Sequence, residues 1–430
     1  MNVLVIGSGG REHALVWKIK QSPLVKKIFC APGNAGIAQL AQCVDVSSDN
    51  VEGLLGFALQ ENIDLTVVGP EAPLVNGIVD AFEKKRLKIF GPSRMAAQLE
   101  GSKSFAKDFM KRHAIPTADF QVFYEVKKAM HFLAVLREMD YPIVIKADGL
   151  AAGKGVVICR SLEDAREAIT QMIEQKAFQD AGTRIVIEEY LKGEEVSILA
   201  MSDGEDFILF DPSQDHKRIF DDDMGPNTGG MGAYSPTPFV SKELLKEIAA
   251  TIIEPTIDGM KEDGYPFKGI LYAGLMLKQN GPFVLEFNAR FGDPETQVLL
   301  PRLKNDLVEL FLATCKGDLI GTRLLWDKRP CVCVVMSSGG YPGAYAAGKE
   351  ITGLDLVQKE CPDLTVFHAG TKKENGKILT AGGRVLGITG LGNTLEDAMK
   401  KTYVGVEKIK FEKSFFRRDI GAKALRRVNV

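Results

Sequence analysis

At 430 residues the chain exceeds the roughly 250 to 300 residues at which a single hydrophobic core stops growing, so three or four domains are expected. A formal net charge of −2 excludes the broad basic footprint that nucleic acid or an acidic membrane surface would need, and any anionic ligand must be held by local basic groups. Seven cysteines without a CxxC pair, a start (MNVLVIGSGG) without a basic leader, and no apolar run near the roughly 18 residues of a membrane span predict a reduced, cytoplasmic enzyme, neither secreted nor membrane-inserted.

Residues 1–100 alternate strand and helix signals. Val3 to Ile6 is a short apolar strand, GSGG turns, and Glu12 to Gln21 has helical spacing with Pro23 just beyond. Lys27 to Ala31, Leu65 to Gly69 and Lys88 to Gly91 repeat the strand-then-turn pattern. This predicts a doubly wound parallel sheet, with its turns at the carboxyl ends of the strands where such sheets bind ligands. The opening turn is not a dinucleotide fingerprint: GxGxxG needs glycine at position 12, which is Glu12, and no acidic residue ends the second strand. Gly9, Gly10 and Arg11 still place backbone amides and a guanidinium at a helix start, as a phosphate nest or as a plain tight turn. Glu71, in GPEAPL at another strand end, is a ligand contact or a helix cap.

Gly91-Pro92 introduces a helical stretch, broken near Gly101 and ending before Pro116, that carries Lys103. Tyr141 to Ile158 then reads as a strand ending in Lys146, a turn containing Gly149, Gly153 and Lys154, and a second strand. A Walker loop fails here, because Asp148 stands where its first glycine belongs and Gly155 where Ser or Thr is required. A β-hairpin lid over phosphates fits better, against a solvent-exposed hairpin with two ordinary lysines. Ser161 to Asp164 resembles a capping box. Arg184 to Leu191 is the next strand, and its end, Glu188, Glu189 and Leu191, lies on a segment between domains that can offer backbone groups to a purine edge, with Glu195 placed to accept from ribose hydroxyls. Taken alone, such a strand is equally structural.

In Ser213 to Arg218, Asp215, Lys217 and Arg218 either bind an anionic substrate or form a salt-bridged loop. His216 has no metal-ligand spacing and is assigned no chemistry. GPNTGGMGAYSP, 225–236, has too many breakers for a regular element and is expected to be an ordered loop near the site. In LEFNARFGDPETQ, 285–297, strand alternation puts Glu286, Asn288 and Arg290 on one face and Leu285, Phe287 and Ala289 on the other. At roughly 3.3 Å rise per residue, Glu286 and Asn288 sit about 7 Å apart, within reach of one hard cation whose remaining positions go to water and phosphate. Arg290 follows on the same face, its planar fork suited to a phosphoryl group. The alternative is an amphipathic strand with a solvated polar face, which Asn in mid-strand disfavours. From about residue 328 the chain reads as a β-rich unit: strand Cys331 to Met336, a hairpin at Asn375-Gly376, strand Arg384 to Thr389 and a helix capped at Thr394.

GGREHALVWK, APGNAG, VGPEAPLVNG, QLEGSKSFAKDFM, VIKADGLAAGKGV, VIEEYLKGEE, SQDHKR, GPNTGGMGAYSP, LYAGLM, EFNARFGDPETQ and GGYPG together resemble the phosphoribosylamine–glycine ligase family, also called glycinamide ribonucleotide synthetases, of the ATP-grasp superfamily. The resemblance implies a multidomain α/β fold: an N-terminal doubly wound sheet at 1–100, an ATP-grasp region at 101–327 with a lid near 120–190, and a small β-rich domain at 328–430. It implies a monomer that joins glycine to 5-phosphoribosylamine with ATP and Mg2+ or Mn2+, in purine synthesis through a glycyl phosphate. It further implies Glu286 and Asn288 as metal ligands; Lys103, Lys146, Gly149, Gly153, Lys154, Glu188, Glu189, Leu191 and Glu195 around ATP; Gly9, Gly10, Arg11, Glu71, Asp215, Lys217, Arg218 and Asp293 around the other substrates; and Arg290 with Lys146 in catalysis. One departure is that YAGLML, 272–277, lacks the further metal-binding acid many ATP-grasp enzymes carry on the preceding strand. The alternatives are a purine-pathway ATP-grasp carboxylase and a nucleotide-binding protein without turnover.

Overall fold

Five parallel strands open the chain: β1 (Asn2–Gly7), β2 (Lys27–Pro32), β3 (Gln42–Cys43), β4 (Leu65–Val68) and β5 (Ile89–Phe90), in the order β3-β2-β1-β4-β5. The computed structural model describes residues 1–149, 155–174 and 184–428. The strands are continuous apolar runs because both faces are covered. Val3, Val5 and Val67 pack with Leu15 and Ile19 of the helix Gly10–Ile19, while Leu4, Ile6 and Val68 pack with Leu54 and Phe82 from helices on the opposite face. Strand β3 carried no sequence signal, since its two residues are exposed. The order reverses at β1 and β4, so the Gly7–Arg11 and Gly69–Glu71 turns share the crevice outside their carboxyl ends.

An antiparallel unit follows, with β6 (Phe120–Phe123), β7 (Ile143–Ala147), β8 (Val156–Cys159) and β9 (Ile185–Glu189) in the order β6-β9-β7-β8. Ile145 and Ile187 form a small core with Ala165 and Ile169 of the helix Leu162–Glu174. Ser161 Oγ accepts from Asp164 N at 3.1 Å, but the Asp164 carboxylate accepts from Arg160 N at 2.9 Å, one residue before the cap. Strands β7 and β8 pair as the predicted hairpin, Lys146 opposite Val156. Gly153 and Lys154, in its turn, lie outside the described residues.

The central sheet is built from β10 (Glu194–Asp203), β11 (Phe207–Leu209) and, after β12 (Gln214–Asp215), β13 (Arg218–Phe220), β14 (Met224–Asn227) and β15 (Gly232–Ser235), from β16 (Lys268–Lys278) and β17 (Gly281–Asn288). Its order is β11-β10-β16-β17. Lys146 on β7 donates to Leu285 O on β17 at 3.0 Å, so this sheet and the hairpin sheet face each other across a cleft. The segment 225–236, expected to be a loop, instead holds β14 and β15. Gly232 makes this possible: a Cβ there would meet Cys333 O at 2.6 Å, so only a bare α-carbon lets β15 lie against the neighbouring strand, and all four residues of β15 are buried.

That neighbour is β18 (Cys331–Ser337), which with β19 (Leu364–His368) and β22 (Arg384–Leu391) forms an antiparallel sheet ordered β12-β15-β18-β22-β19. Residues 214–235 thus supply two strands to the sheet of the C-terminal region. The helix Leu395–Lys408 covers it through Ala398 and Val406, and its cap is as predicted, with Asp397 N donating to Thr394 Oγ1 at 3.1 Å. Strands β20 (Thr371–Glu374) and β21 (Lys377–Thr380) flank Asn375-Gly376, whose φ angles of 50° and 78° are those of a type I′ turn. No helix among the described residues is long and apolar enough to cross a membrane.

Candidate active site

The helix Lys103–Arg112 starts against the end of β7, because the Asp148 carboxylate accepts from Ser104 N at 3.1 Å and from Ser104 Oγ at 2.6 Å. This brings three lysines to one wall. Lys103 donates to Gly149 O at 2.9 Å, at a residue whose φ of +103° suits glycine. Lys146 and Lys107 both lie 3.0 Å from Glu188 Oε2. Burial lowers the pKa of Lys103 and brings that of Lys107 to about 8, so charge here is held under strain that an anionic ligand would relieve. Lys107 was not singled out from the sequence, although it lies four residues from Lys103 on the same helix face.

Glu188 is placed differently from the expectation. Its carboxylate is buried between the two lysines, and its backbone sits in mid-ladder, opposite Phe120 on one side and Val144 on the other. Glu189 N donates to Asp119 O at 3.0 Å, so an edge able to meet a purine begins only beyond the strand, at Tyr190 and Leu191. Leu191 is buried with Ala118, Met276, Phe283 and Leu285, an apolar floor for the cleft.

Leu285 also departs from strict alternation. Gly274 pairs with Glu286 but Leu275 pairs with Val284, so Leu285 is the extra residue of a β-bulge. The bulge turns it out of the main core, which keeps Val284 and Phe287, and into the cleft cluster. Beyond the bulge the predicted polar face is in register. Lys217 Nζ lies 3.4 Å from Glu286 Oε1, and Lys217, then Lys146 and Lys103, hold the carboxyl of the part-exposed Glu286 at about 2 against its partial desolvation. Glu286 is therefore ionised throughout the neutral range. Asn288 Oδ1 accepts from Arg290 Nη2 at 3.3 Å. Among the described residues no three His, Cys, Asp or Glu side chains are grouped to hold a metal by themselves. Two oxygens, one anionic and one neutral, fit a hard divalent cation that arrives with phosphate oxygens and water.

Arg290 is more engaged than the sequence suggested. Its Nη2 lies 2.8 Å from Glu100 Oε1, its Nε donates to Glu71 Oε2 at 3.3 Å and its Nη1 to Phe291 O at 3.1 Å. Glu71, Phe291 and Asn288 thus take three of the five guanidinium N–H groups, Glu100 lies against Nη2 as an ion pair, and one N–H remains on each of Nη1 and Nη2. Burial would raise the Glu71 carboxyl, but Arg290 and Arg11 hold it below its ordinary value. Burial raises Glu100 to about 7 against the pull of Arg290. Glu100 lies within QLEGSKSFAKDFM, but nothing local gives it a role: the backbone N–H it accepts from is 189 residues away.

On the crevice side, Gly9 N donates to Glu12 Oε2 and Arg11 Nε to Glu12 Oε1, each at 2.5 Å. A Cβ at Gly7 or Gly69 would collide with the Glu12 side chain, which fills the space a dinucleotide fingerprint leaves open. A Cβ on Gly9 or Gly10 would lie 3.4 or 3.6 Å from the Asp293 carboxylate, so the loop and Asp293 adjoin. Burial acts against ionisation of Asp293, but Arg384 and Arg11 keep its carboxyl low. Arg384, reaching from β22 to Asp293 O at 2.7 Å, was also missed.

SQDHKR divides by alternation. Asp215 and Lys217 turn to the cleft, where with Glu195, Ser197, Tyr272 and Leu285 they line a cavity of about 10 Å³, room for a single water-sized group. Asp215 Oδ1 is buried without a partner, and burial, with Glu295 nearby, raises its carboxyl well above the ordinary value. Lys217 Nζ also lies 3.5 Å from Glu195 Oε2. Arg218 donates to Gly225 O at 2.6 Å within the β13–β14 hairpin. His216 is buried and held neutral, at about 3, by desolvation and then by Arg417 and Lys423.

Three family models, described as the N, ATP-grasp (A) and C domains of phosphoribosylglycinamide synthetase, match residues 1–100, 101–296 and 331–423. The chain belongs to the phosphoribosylglycinamide synthetase family. It is 55% identical to a phosphoribosylamine–glycine ligase of Salmonella typhimurium over 99% of each chain, and 50% identical to one from Caldanaerobacter subterraneus over 98% of this chain and 100% of that one. A crystal structure of phosphoribosylamine–glycine ligase from Thermotoga maritima aligns with a TM-score of 0.83 at 34% identity, covering 98% of this chain and 100% of the other. An ATP-grasp ligase of this family implies ATP with a divalent metal and small-molecule substrates.

Proposed function

We propose that this chain ligates glycine to 5-phosphoribosylamine, giving glycinamide ribonucleotide, ADP and phosphate, in purine synthesis. The observation that carries this is the convergence on Glu286 of Lys103, Lys146 and Lys217, from a helix, the hairpin sheet and the β12–β13 connection. Such a set holds one metal-binding carboxylate ionised while presenting cations to a polyphosphate. Mg2+ or Mn2+ on Glu286 and Asn288 would neutralise charge on the transferring phosphoryl group. A carboxylate is a poor electrophile. Its oxygen attacks the γ-phosphorus, ADP leaves, and the amine of phosphoribosylamine then attacks the acyl carbon of glycyl phosphate to release phosphate. Lys146 and Lys103 hold the nucleotide phosphates, Leu191 and the apolar floor receive the base, and Glu195 the ribose. The remaining Nη1 N–H of Arg290 stabilises the anionic intermediate. Gly9, Gly10, Arg11 and Asp293, at the crevice mouth, receive the phosphoribosyl group, and Lys217, part-exposed beside the small pocket that Asp215 lines, the glycine carboxylate. We place this activity in the cytoplasm and in the monomer. The deciding assay is phosphate release from ATP in the presence of phosphoribosylamine: release that depends on glycine supports the ligase, and release that depends on bicarbonate instead would assign a carboxylase.

A further inference from the structure

Two carboxylates approach Arg290, and they are not equivalent. Glu71 has 31% of its side chain exposed and reaches Nε at 3.3 Å, whereas Glu100 is 7% exposed and lies 2.8 Å from Nη2. The second oxygen of Glu100 accepts from Ala289 N at 2.7 Å. A buried carboxylate is costly unless its oxygens are partnered, and here one oxygen is ion-paired and the other hydrogen-bonded, to two parts of one short segment. One contact fixes the direction of the guanidinium. The other fixes the backbone between Asn288 and Arg290, at the end of β17, and so the facing of the Glu286–Asn288–Arg290 surface. Because three of Arg290's five N–H groups are already committed, the direction of the free Nη1 N–H is decided by its neighbours, and Glu100, ion-paired to Nη2, is the closest of these.

We propose that Glu100 is a positioning residue for the ligation, aiming the remaining Nη1 N–H of Arg290 into the cleft and holding the polar end of β17 in place. This rests on the reading of Arg290 as the stabiliser of the acyl phosphate intermediate, and the experiment separates the two. Glu100→Gln, Arg290→Lys and the double variant are compared by kcat, by KM for ATP and by thermal midpoint. Glu100→Gln keeps the volume and one acceptor. It should lower kcat by about 10- to 100-fold, as loss of a residue that orients a reacting group does, with KM for ATP within about threefold of wild type. In the double variant the losses should not multiply, because both changes remove one interaction. Full turnover in Arg290→Lys would remove the catalytic reading of Arg290 itself. Impaired Arg290→Lys beside fully active Glu100→Gln, or losses that multiply, would overturn the role of Glu100. Should Glu100→Gln fail to fold, Glu100→Asp keeps the charge and shortens the reach: a fall in kcat at constant KM for ATP is expected, and an unchanged kcat overturns the proposal.

Discussion

Lys217 Nζ lies between two carboxylates, 3.4 Å from Glu286 Oε1 and 3.5 Å from Glu195 Oε2, and its own pKa rises well above the ordinary value even though burial pulls it down. A cation so placed keeps Glu286 charged before any metal binds, so the charge, not the shape, of residue 286 is what the site is arranged to protect. Glu286→Gln should therefore reduce turnover on the order of 10²- to 10³-fold, as removal of one major electrostatic stabiliser does, with circular dichroism unchanged. Steady-state rates measured across a magnesium series decide this, and a Gln variant that works at ordinary magnesium sinks the assignment.

Lys146 links the hairpin sheet to β17 through Leu285 O and shares Glu188 with Lys107. Because Lys107 stays with Glu188 when Lys146 is removed, Lys146→Ala should leave no orphaned charge and should read out on the nucleotide. A charge-assisted contact is worth roughly 1.5 to 3 kcal/mol, or about 10- to 150-fold in kcat/KM for ATP. A loss seen only in thermal stability would make Lys146 a structural tie between sheets.

The elements that were legible in the sequence are those in which one short segment carries the whole signal. The polar face of β17 and the failed dinucleotide turn could be read because Glu286, Asn288, Arg290 and Glu12 stand at fixed local offsets. Leu285 broke the alternation because a bulge depends on the partner strand, which the period of one strand does not contain. Strands β14 and β15 were hidden behind glycines that look like breakers until Gly232 is seen against Cys333 O. Glu100 and Arg384 reach the site from segments about 190 and 90 residues from their partners, and no periodicity reports such a distance.

Acid should destabilise the fold through three buried histidines. Burial lowers His13 and His216 to about 3 and His368 to about 4, while in the unfolded chain they titrate near 6.5. Between about pH 6.5 and 4 the unfolded state binds more protons, so stability falls as pH falls through that window and owes nothing to these groups above it. His13 Nδ1 accepts from His368 N at 2.7 Å, and His13→Asn keeps an acceptor there without the titration. Its unfolding free energies from urea titrations between pH 6.5 and 4 should show a slope with pH shallower by up to about 1.4 kcal/mol per pH unit. Parallel slopes for variant and wild type would mean that His13 takes up its proton while folded.

The order of chemistry can be read from one isotope. If the glycine carboxylate is phosphorylated first, one of its oxygens becomes the bridge between acyl carbon and phosphorus and leaves with phosphate when the amine attacks. Glycine carrying oxygen-18 in its carboxylate should then pass label to the released phosphate. Activation of the phosphoribosyl group instead would leave that phosphate unlabelled and overturn the glycyl phosphate. The same experiment with Arg290→Lys separates binding from chemistry, since an ammonium cannot hold Glu71, Glu100 and Asn288 together as the guanidinium does. Label transfer should persist at a lowered kcat, because the first phosphoryl transfer still occurs while the anionic intermediate loses its stabilising N–H. A variant that turns over normally once ATP is saturating would move Arg290 from the reacting centre to the nucleotide.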